Sequence, residues 1–182
     1  MKLKLEEVVI TNVKPLIIGD RVCVDTCTKM KKGYGMLVGN FSKALFLVHS
    51  ESVQNPYVGQ RPFRVNAGAV HSYVLAKGRK TKYLSEISSG DEILMVDYRG
   101  NAKEIAVGRS KTEKRPLMLI EALYKKEKVS VILQNAETVR LTNPEGKPVS
   151  ITKLNNKSKV LVYAGEKGRH FGMEIDETII EK

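Results

Sequence analysis

Short runs of branched apolar residues, each cut off by a turn signal within a few positions, constrain this chain more than any other feature. Arg21-Val22-Cys23-Val24-Asp25 and residues 44–48, 93–96, 129–133 and 160–163 are of this kind. Branched side chains lose χ1 freedom in a helix and pack well on a pleated surface, so such runs read as half-buried or buried strands. Gly19-Asp20, Gly90-Asp91, Arg99-Gly100-Asn101, Asn143-Pro144-Glu145-Gly146 and Gly165-Glu166-Lys167-Gly168 fall between them as turns. Helix is expected only as single turns at 84–88 and 151–155. The fold class that follows is all-β, mainly antiparallel, with little helix.

The runs also repeat. Residues 84–96 resemble residues 151–163: a short polar-apolar turn, a tight turn, then a buried strand, with a fainter copy at 13–24. Each copy leads after a turn to a further strand, at 36–38, 105–107 and 172–175. Repeated strand-turn-strand units predict small barrel-like or coiled sheets. Lys77-Gly78-Arg79-Lys80 is the natural break. It divides the chain into residues 1–76, which carry a His/Arg/Asn cluster, and 77–182, which carry the internal repeat.

Composition narrows the function classes. Of the 182 residues, 42% are hydrophobic and 28% charged, as in a globular domain. No apolar run approaches the ~20 residues that span a bilayer, so no membrane association is expected. Cys23 and Cys27 do not make a disulfide framework, which points to the cytoplasm. On one strand they would stand about 13 Å apart, too far for a shared ion. With His49, His71 and His170 scattered, no metal site is expected. The net charge of +11 favours encounter with anions, whether nucleic acid, nucleotide cofactors or carboxylates. It is equally what solubilising lysines produce, as in Lys125-Lys126-Glu127-Lys128. A basic β-barrel module for nucleic acid is thus one reading, and a non-catalytic assembly domain another. Only 6% of residues are aromatic, and no aromatic pair is interleaved with Lys or Arg, so a nucleic-acid partner is not expected.

Gly33-x-Gly35-x-x-x-Gly39 brushes against a dinucleotide-binding pattern, but the glycines sit beside a strand-like Met36-Leu37-Val38 with no helix to follow. A hairpin is the better reading. The densest polar cluster runs from His49-Ser50-Glu51 through Asn55-Pro56-Tyr57 to Arg61-Pro62-Phe63-Arg64-Val65-Asn66 and His71. On a strand, His49 and Glu51 share a side, as do Arg64 and Asn66. A His–Glu pair can relay protons, and arginines with an amide can hold a carboxylate or pyrophosphate through the guanidinium fork. The same groups can equally form a satisfied hydrogen-bond network at a sheet end. Gln134-Asn135-Ala136-Glu137-Thr138-Val139-Arg140 and Arg169-His170-Phe171-Gly172 are further polar clusters open to both readings.

These clusters carry a family resemblance. Gly19-Asp20-Arg21-Val22-Cys23-Val24-Asp25-Thr26-Cys27, Leu45-Phe46-Leu47-Val48-His49-Ser50-Glu51, Asn55-Pro56-Tyr57-Val58 and Arg61-Pro62-Phe63-Arg64-Val65-Asn66-Ala67-Gly68 resemble the archaeal-type (class II) 3-dehydroquinate synthases. So do Ile132-Leu133-Gln134-Asn135-Ala136-Glu137-Thr138 and the ending Arg169-His170-Phe171-Gly172. The likeness runs from about Val8 to Lys182 and is to the carboxyl-terminal half of the family. It implies NAD-dependent oxidative deamination and cyclisation of an amino-dideoxy-heptulosonate to 3-dehydroquinate, in the shikimate route to chorismate and aromatic amino acids. In that light, His49 or His71 with Glu51 would move protons. Arg61 and Arg64 would bind the substrate carboxylate or cofactor phosphates, and Asn66, Gln134 and Asn135 would position carbonyl or hydroxyl groups. The family's amino-terminal α/β-like segment is expected to be absent from this chain. Activity would then need that half or a partner subunit, with assembly as a homo-oligomer left open.

Overall fold

Twelve strands and three single 3₁₀ turns account for the regular structure of the computed structural model, which describes residues 1–165 and 180–182. The strands are β1 (Glu6–Thr26), β2 (Tyr34–Phe41), β3 (Ala44–His49), β4 (Arg64–Ala69), β5 (Tyr73–Ala76) and β6 (Lys80–Tyr83). They continue as β7 (Glu92–Asp97), β8 (Ala102–Tyr124), β9 (Glu127–Gln134), β10 (Arg140–Thr142), β11 (Pro148–Ser150) and β12 (Lys159–Tyr163). The 3₁₀ turns are Lys77–Arg79, Leu84–Glu86 and Ile151–Lys153. The last two are the turns that open the two clearer repeats, so the repeat is structural. The strand expected at 172–175 and the cluster Arg169-His170-Phe171-Gly172 lie outside the described residues, as does most of the turn at 165–168.

The fold is all-β. The sheet order is β11-β10-β3-β12-β1-β8-β7-β2-β5-β6, with β4 added on β1 and β9 on β8. A further β2–β3 pairing (Met36 opposite Val48, Val38 opposite Phe46) joins the two ends of the run β3-β12-β1-β8-β7-β2, closing it on itself. Closure removes edges that would otherwise template association. Strands from both sides of position 77 share this sheet, β1 pairing with β8 and β12.

The period-2 geometry explains why the apolar runs are unbroken. Along β3, Ala44, Phe46 and Val48 enter the main core, while Leu45 and Leu47 enter a second cluster on the other face. β7 divides the same way, with Ile93 and Met95 inside and Leu94 and Val96 outside, and so does β12. Strands covered on both faces need apolar residues at every position.

β1 and β8 are far longer than any sequence run suggested. They pair with each other from Val9–Leu123 to Thr26–Val107, bending at register shifts near Ile10, Pro15 and Asp25. Each bulge locally increases the twist, so one strand can serve several partners along its length. The turn expected at Gly19-Asp20 is therefore corrected: both residues are inside β1. Gly19 lets Leu117 pack close, since a Cβ there would stand 2.6 Å from a Leu117 methyl and displace it. The faint third repeat at 13–24 is part of the same strand.

Candidate active site

Strand alternation builds the site. Val22 and Val24 of β1 and Val65 and Ala67 of β4 point into the main core. That turns Arg21 and Cys23, and Arg64 and Asn66, to the opposite side, where Lys111, Glu113 and Arg115 of β8 and Gln134 of β9 join them. The loop after β3 completes the wall. Glu51 and Arg61 form an isolated antiparallel bridge across its neck, and Thr138 and Arg140 also line the cleft. The result is a cleft of about 360 Å³ with six cationic side chains and two carboxylates on its wall. Converging cations of this density concentrate small anions.

Most of these charges are held by neighbours. Arg64 donates through Nε to Asp25 Oδ1 at 2.7 Å and through Nη2 to Oδ2 at 3.0 Å, and Arg109 adds Nε to Oδ2 at 2.7 Å. Asp25 is 2% exposed. Burial alone would push its carboxyl up, but the hydrogen bonds from Arg64 and Arg109 outweigh that and hold it below its ordinary value. Arg21, 5% exposed, donates to Gln134 Oε1 and, at 2.9 Å, to Glu113 Oε1. Asn66 Nδ2 reaches the same Gln134 oxygen at 2.9 Å. Among the described residues, Arg21 Nε and Asn66 Oδ1 are buried polar atoms without a hydrogen-bond partner, and such atoms are expensive unless something satisfies them.

The two carboxylates of the cleft are driven apart. Burial raises Glu51 despite the opposing charges of Arg64, Arg61 and Arg21. For Glu113, burial also pushes up, but Arg115, Lys111 and Arg21 win and the carboxyl is lowered. Cys23 is raised by burial over the pull of Arg21 and Arg64, so its thiol stays protonated.

Of the residues singled out in the sequence, the structure brings together Glu51, Arg61, Arg64, Asn66 and Gln134. It leaves His49, His71 and Asn135 outside the cleft. β3 ends at His49, so His49 and Glu51 do not share a strand face. His49 is 3% exposed. Its Nε2 accepts the Gly33 N–H at 2.7 Å, and its Nδ1 lies 2.8 Å from the Ser50 carbonyl. An accepting Nε2 fixes the proton on Nδ1, so both nitrogens are occupied. Burial lowers its pKa to about 4. His71 is exposed and bonded to Asn40 Oδ1 at 2.8 Å. Asn135 donates its backbone N–H to Pro116 O at 2.8 Å.

Lys111, Glu113 and Arg115 have no place in the sequence clusters, Arg21 stands there only within the family motif at 19–27, and Arg140 only within the polar run at 134–140. One signal is available in β1, where Arg21, Cys23 and Asp25 alternate with Val22 and Val24.

The glycines at 35 and 39 do not form a dinucleotide cradle. Gly35 and Gly39 lie in β2, where a Cβ on Gly35 would collide with the Val48 carbonyl and one on Gly39 would stand 2.6 Å from the Ala44 carbonyl. These glycines serve strand packing, and no helix opens beside them to meet a pyrophosphate. A cleft of about 360 Å³ suits a sugar acid and is small for a dinucleotide. No three His, Cys, Asp or Glu side chains gather for a metal among the described residues, and no helix there is long and apolar enough to cross a membrane. Tyr73 and Tyr83 stack at 5.2 Å near Lys80 and Lys82, an aromatic pair that sequence order hid, but they do so as cross-strand partners packed on each other.

Comparison with known proteins agrees with the sequence clusters. Residues 7–182 match the model of the 3-dehydroquinate synthase II C-terminal domain. The chain is 59% identical over 181 residues to a 3-dehydroquinate synthase of Methanocaldococcus jannaschii, covering 100% of this chain and 50% of that protein. It is 54% identical to a 3-dehydroquinate synthase homolog of Aquifex aeolicus, covering 100% of this chain and 55% of the relative. With a 3-dehydroquinate synthase of Methanothermobacter thermautotrophicus it shares 56% over 179 residues, covering 98% and 48%. The chain spans about half the length of the curated relatives it matches.

Proposed function

The chain belongs to the 3-dehydroquinate synthase II family through its carboxyl-terminal domain, and on that premise we propose that it supplies the substrate-binding half of a 3-dehydroquinate synthase. The reaction is the oxidative deamination of an amino-dideoxy-heptulosonate, with NAD as hydride acceptor and water displacing the nitrogen as ammonia, then intramolecular aldol closure of the resulting diketone to 3-dehydroquinate. The observation that carries this reading is the cleft itself: cations and amides from β1, β4, β8 and β9 converge on a space of sugar-acid size. NAD supplies the oxidation when bound. Because the cleft is small and the glycines are packed, we place most of its contacts outside this domain, in the region that precedes it in the family. The protein acts in the cytoplasm on a small-molecule substrate, and the preceding region, in the same chain or as a partner subunit, completes the site.

Glu51 is the acid–base group of this half. It is the cleft carboxylate whose pKa is raised, so it is poised to take a proton from the carbon beside the ketone, forming the enolate that closes the ring. Glu113 stays ionised and holds Arg21 in place. Asn66 and Gln134 lie side by side and would orient the substrate's oxygens. Arg61, bridged to Glu51 at 3.6 Å, keeps the carboxylate aimed into the cleft.

The test is to combine this chain with the separately produced amino-terminal half of a relative and supply substrate and NAD. NADH and 3-dehydroquinate should appear together, and Glu51→Gln should lower dehydroquinate formation by a factor of ~100 or more. Equal turnover by the variant removes Glu51 from the chemistry. No product from any combination of halves, with both folded, removes the function.

A further inference from the structure

Five of the six cations on the cleft wall are paired with carboxylates: Arg21, Lys111 and Arg115 with Glu113, Arg61 with Glu51, and Arg64 with Asp25. Arg140 differs. At the start of β10, half-buried, its side chain makes one hydrogen bond among the described residues, from Nη1 to the backbone carbonyl of Thr138 at 3.0 Å, and no ion pair there. Its charge reaches His49, where it lowers the imidazole's basicity further, after burial. A partly desolvated guanidinium without a counter-charge is unfavourable unless an anion completes it. The bond to Thr138 also pins one corner of the fork, which reduces the side-chain freedom lost when a ligand arrives.

We infer that Arg140 is the residue that receives the substrate's carboxylate, through the part of its fork that Thr138 leaves available. This rests on the proposed function for the identity of the sugar acid, but not for the chemistry of the subsite. Arg61 and Arg64, the arginines that sequence pattern favours for this task, are already committed to Glu51 and Asp25. A carboxylate at Arg140 lies within the same cleft as Glu51 and as the Asn66–Gln134 amide pair. Fixing the acid end on Arg140 would hold the rest of the substrate within the cleft that Glu51 lines, which orients a flexible chain before it cyclises.

The experiment is a titration of the ¹⁵N-labelled chain, read at the arginine Nε–H and at the side-chain amides. The probes are acetate, 3-dehydroquinate and inorganic pyrophosphate, on the parent, Arg140→Met, Arg140→Lys and, as a charge-matched control outside the cleft, Lys153→Met. Acetate and 3-dehydroquinate should both shift Arg140. The affinity for 3-dehydroquinate should fall about 10- to 100-fold in Arg140→Met, the loss expected for a charge-assisted bidentate contact. Arg140→Lys, which keeps the charge and loses the fork, should fall between, and Lys153→Met should match the parent. Unchanged 3-dehydroquinate affinity in Arg140→Met overturns the inference, as does a larger loss for pyrophosphate than for the carboxylates, which would make this a phosphate site. Matching amide spectra of parent and variant exclude misfolding as the cause. If acetate shifts Arg140 but 3-dehydroquinate does not bind, the subsite stands and the proposed function falls. If 3-dehydroquinate binds and leaves Arg140 unshifted, the function stands and the subsite falls.

Discussion

Replacing His49 with Gln should remove a specific slice of the protein's acid sensitivity. Burial lowers the pKa of His49 to about 4 in the fold, against roughly 6.5 in an unfolded chain. For a base with a depressed folded pKa, the unfolded state binds the extra proton. Stability is therefore complete above the unfolded value and is lost as pH falls from about 6.5 towards about 4. Between pH 7 and pH 5 the linkage amounts to about 2 kcal/mol for this one residue. With an m-value of about 2 kcal/mol per molar urea, the unfolding midpoint should drop by about 1 M from this source. The Gln carbonyl can take the Gly33 N–H that Nε2 accepts without titrating, so the variant should keep its midpoint better than the parent over the same interval. Urea unfolding of both proteins at pH 7 and pH 5 measures the difference. Equal slopes would mean that His49 titrates normally in the fold, and the argument for its locked, neutral ring would fail.

Other perturbations probe the remaining supports. Asp25→Asn keeps the volume but strips the carboxylate from Arg64, and should destabilise by ~3 kcal/mol in denaturant unfolding, because it leaves a largely buried guanidinium uncompensated. The contribution of Asp25, whose pKa is lowered, is present above about pH 4 and disappears as pH falls through its folded value. A parent that loses no more stability on acidification than Asp25→Asn would contradict this. Gly35→Ala sets a methyl against the Val48 carbonyl and should lower the melting temperature by on the order of 10 °C, read by circular dichroism. In the reconstituted enzyme, the acid limb of kcat/KM should sit above the ordinary glutamate value of about 4.3, because Glu51 is raised, and Glu51→Gln should abolish that limb.

The strands covered on both faces were legible because burial writes itself into consecutive residues: β3, β7 and β12 appear in the sequence almost at their true lengths. The β1–β8 ribbon was not, because its middle carries lysines, arginines and glutamates on strand faces that see either solvent or the cleft, and no hydrophobic alternation survives there. Gly19 read as a turn for want of one fact that only tertiary structure holds, the approach of Leu117. In the cleft, Arg64 and Asn66 could be placed together from their i, i+2 spacing. Arg21 shares such an alternation with Cys23, but the apolar run that follows it, Val22 to Val24, makes the segment read as core. His49 was misleading for the opposite reason. Its neighbour Glu51 is close in sequence, but the end of β3 turns the two apart, and the imidazole serves the Gly33 backbone instead.

Every role assigned to Glu51, Asn66, Gln134 and Arg140 requires that the sugar acid bind in the cation-lined cleft. A crystal structure of the protein with 3-dehydroquinate bound decides this most directly. The ligand is expected between Glu51, Asn66 and Gln134, with its carboxylate on a guanidinium of the same wall. A ligand seated elsewhere on the domain, with these side chains still paired only to one another, would contradict it.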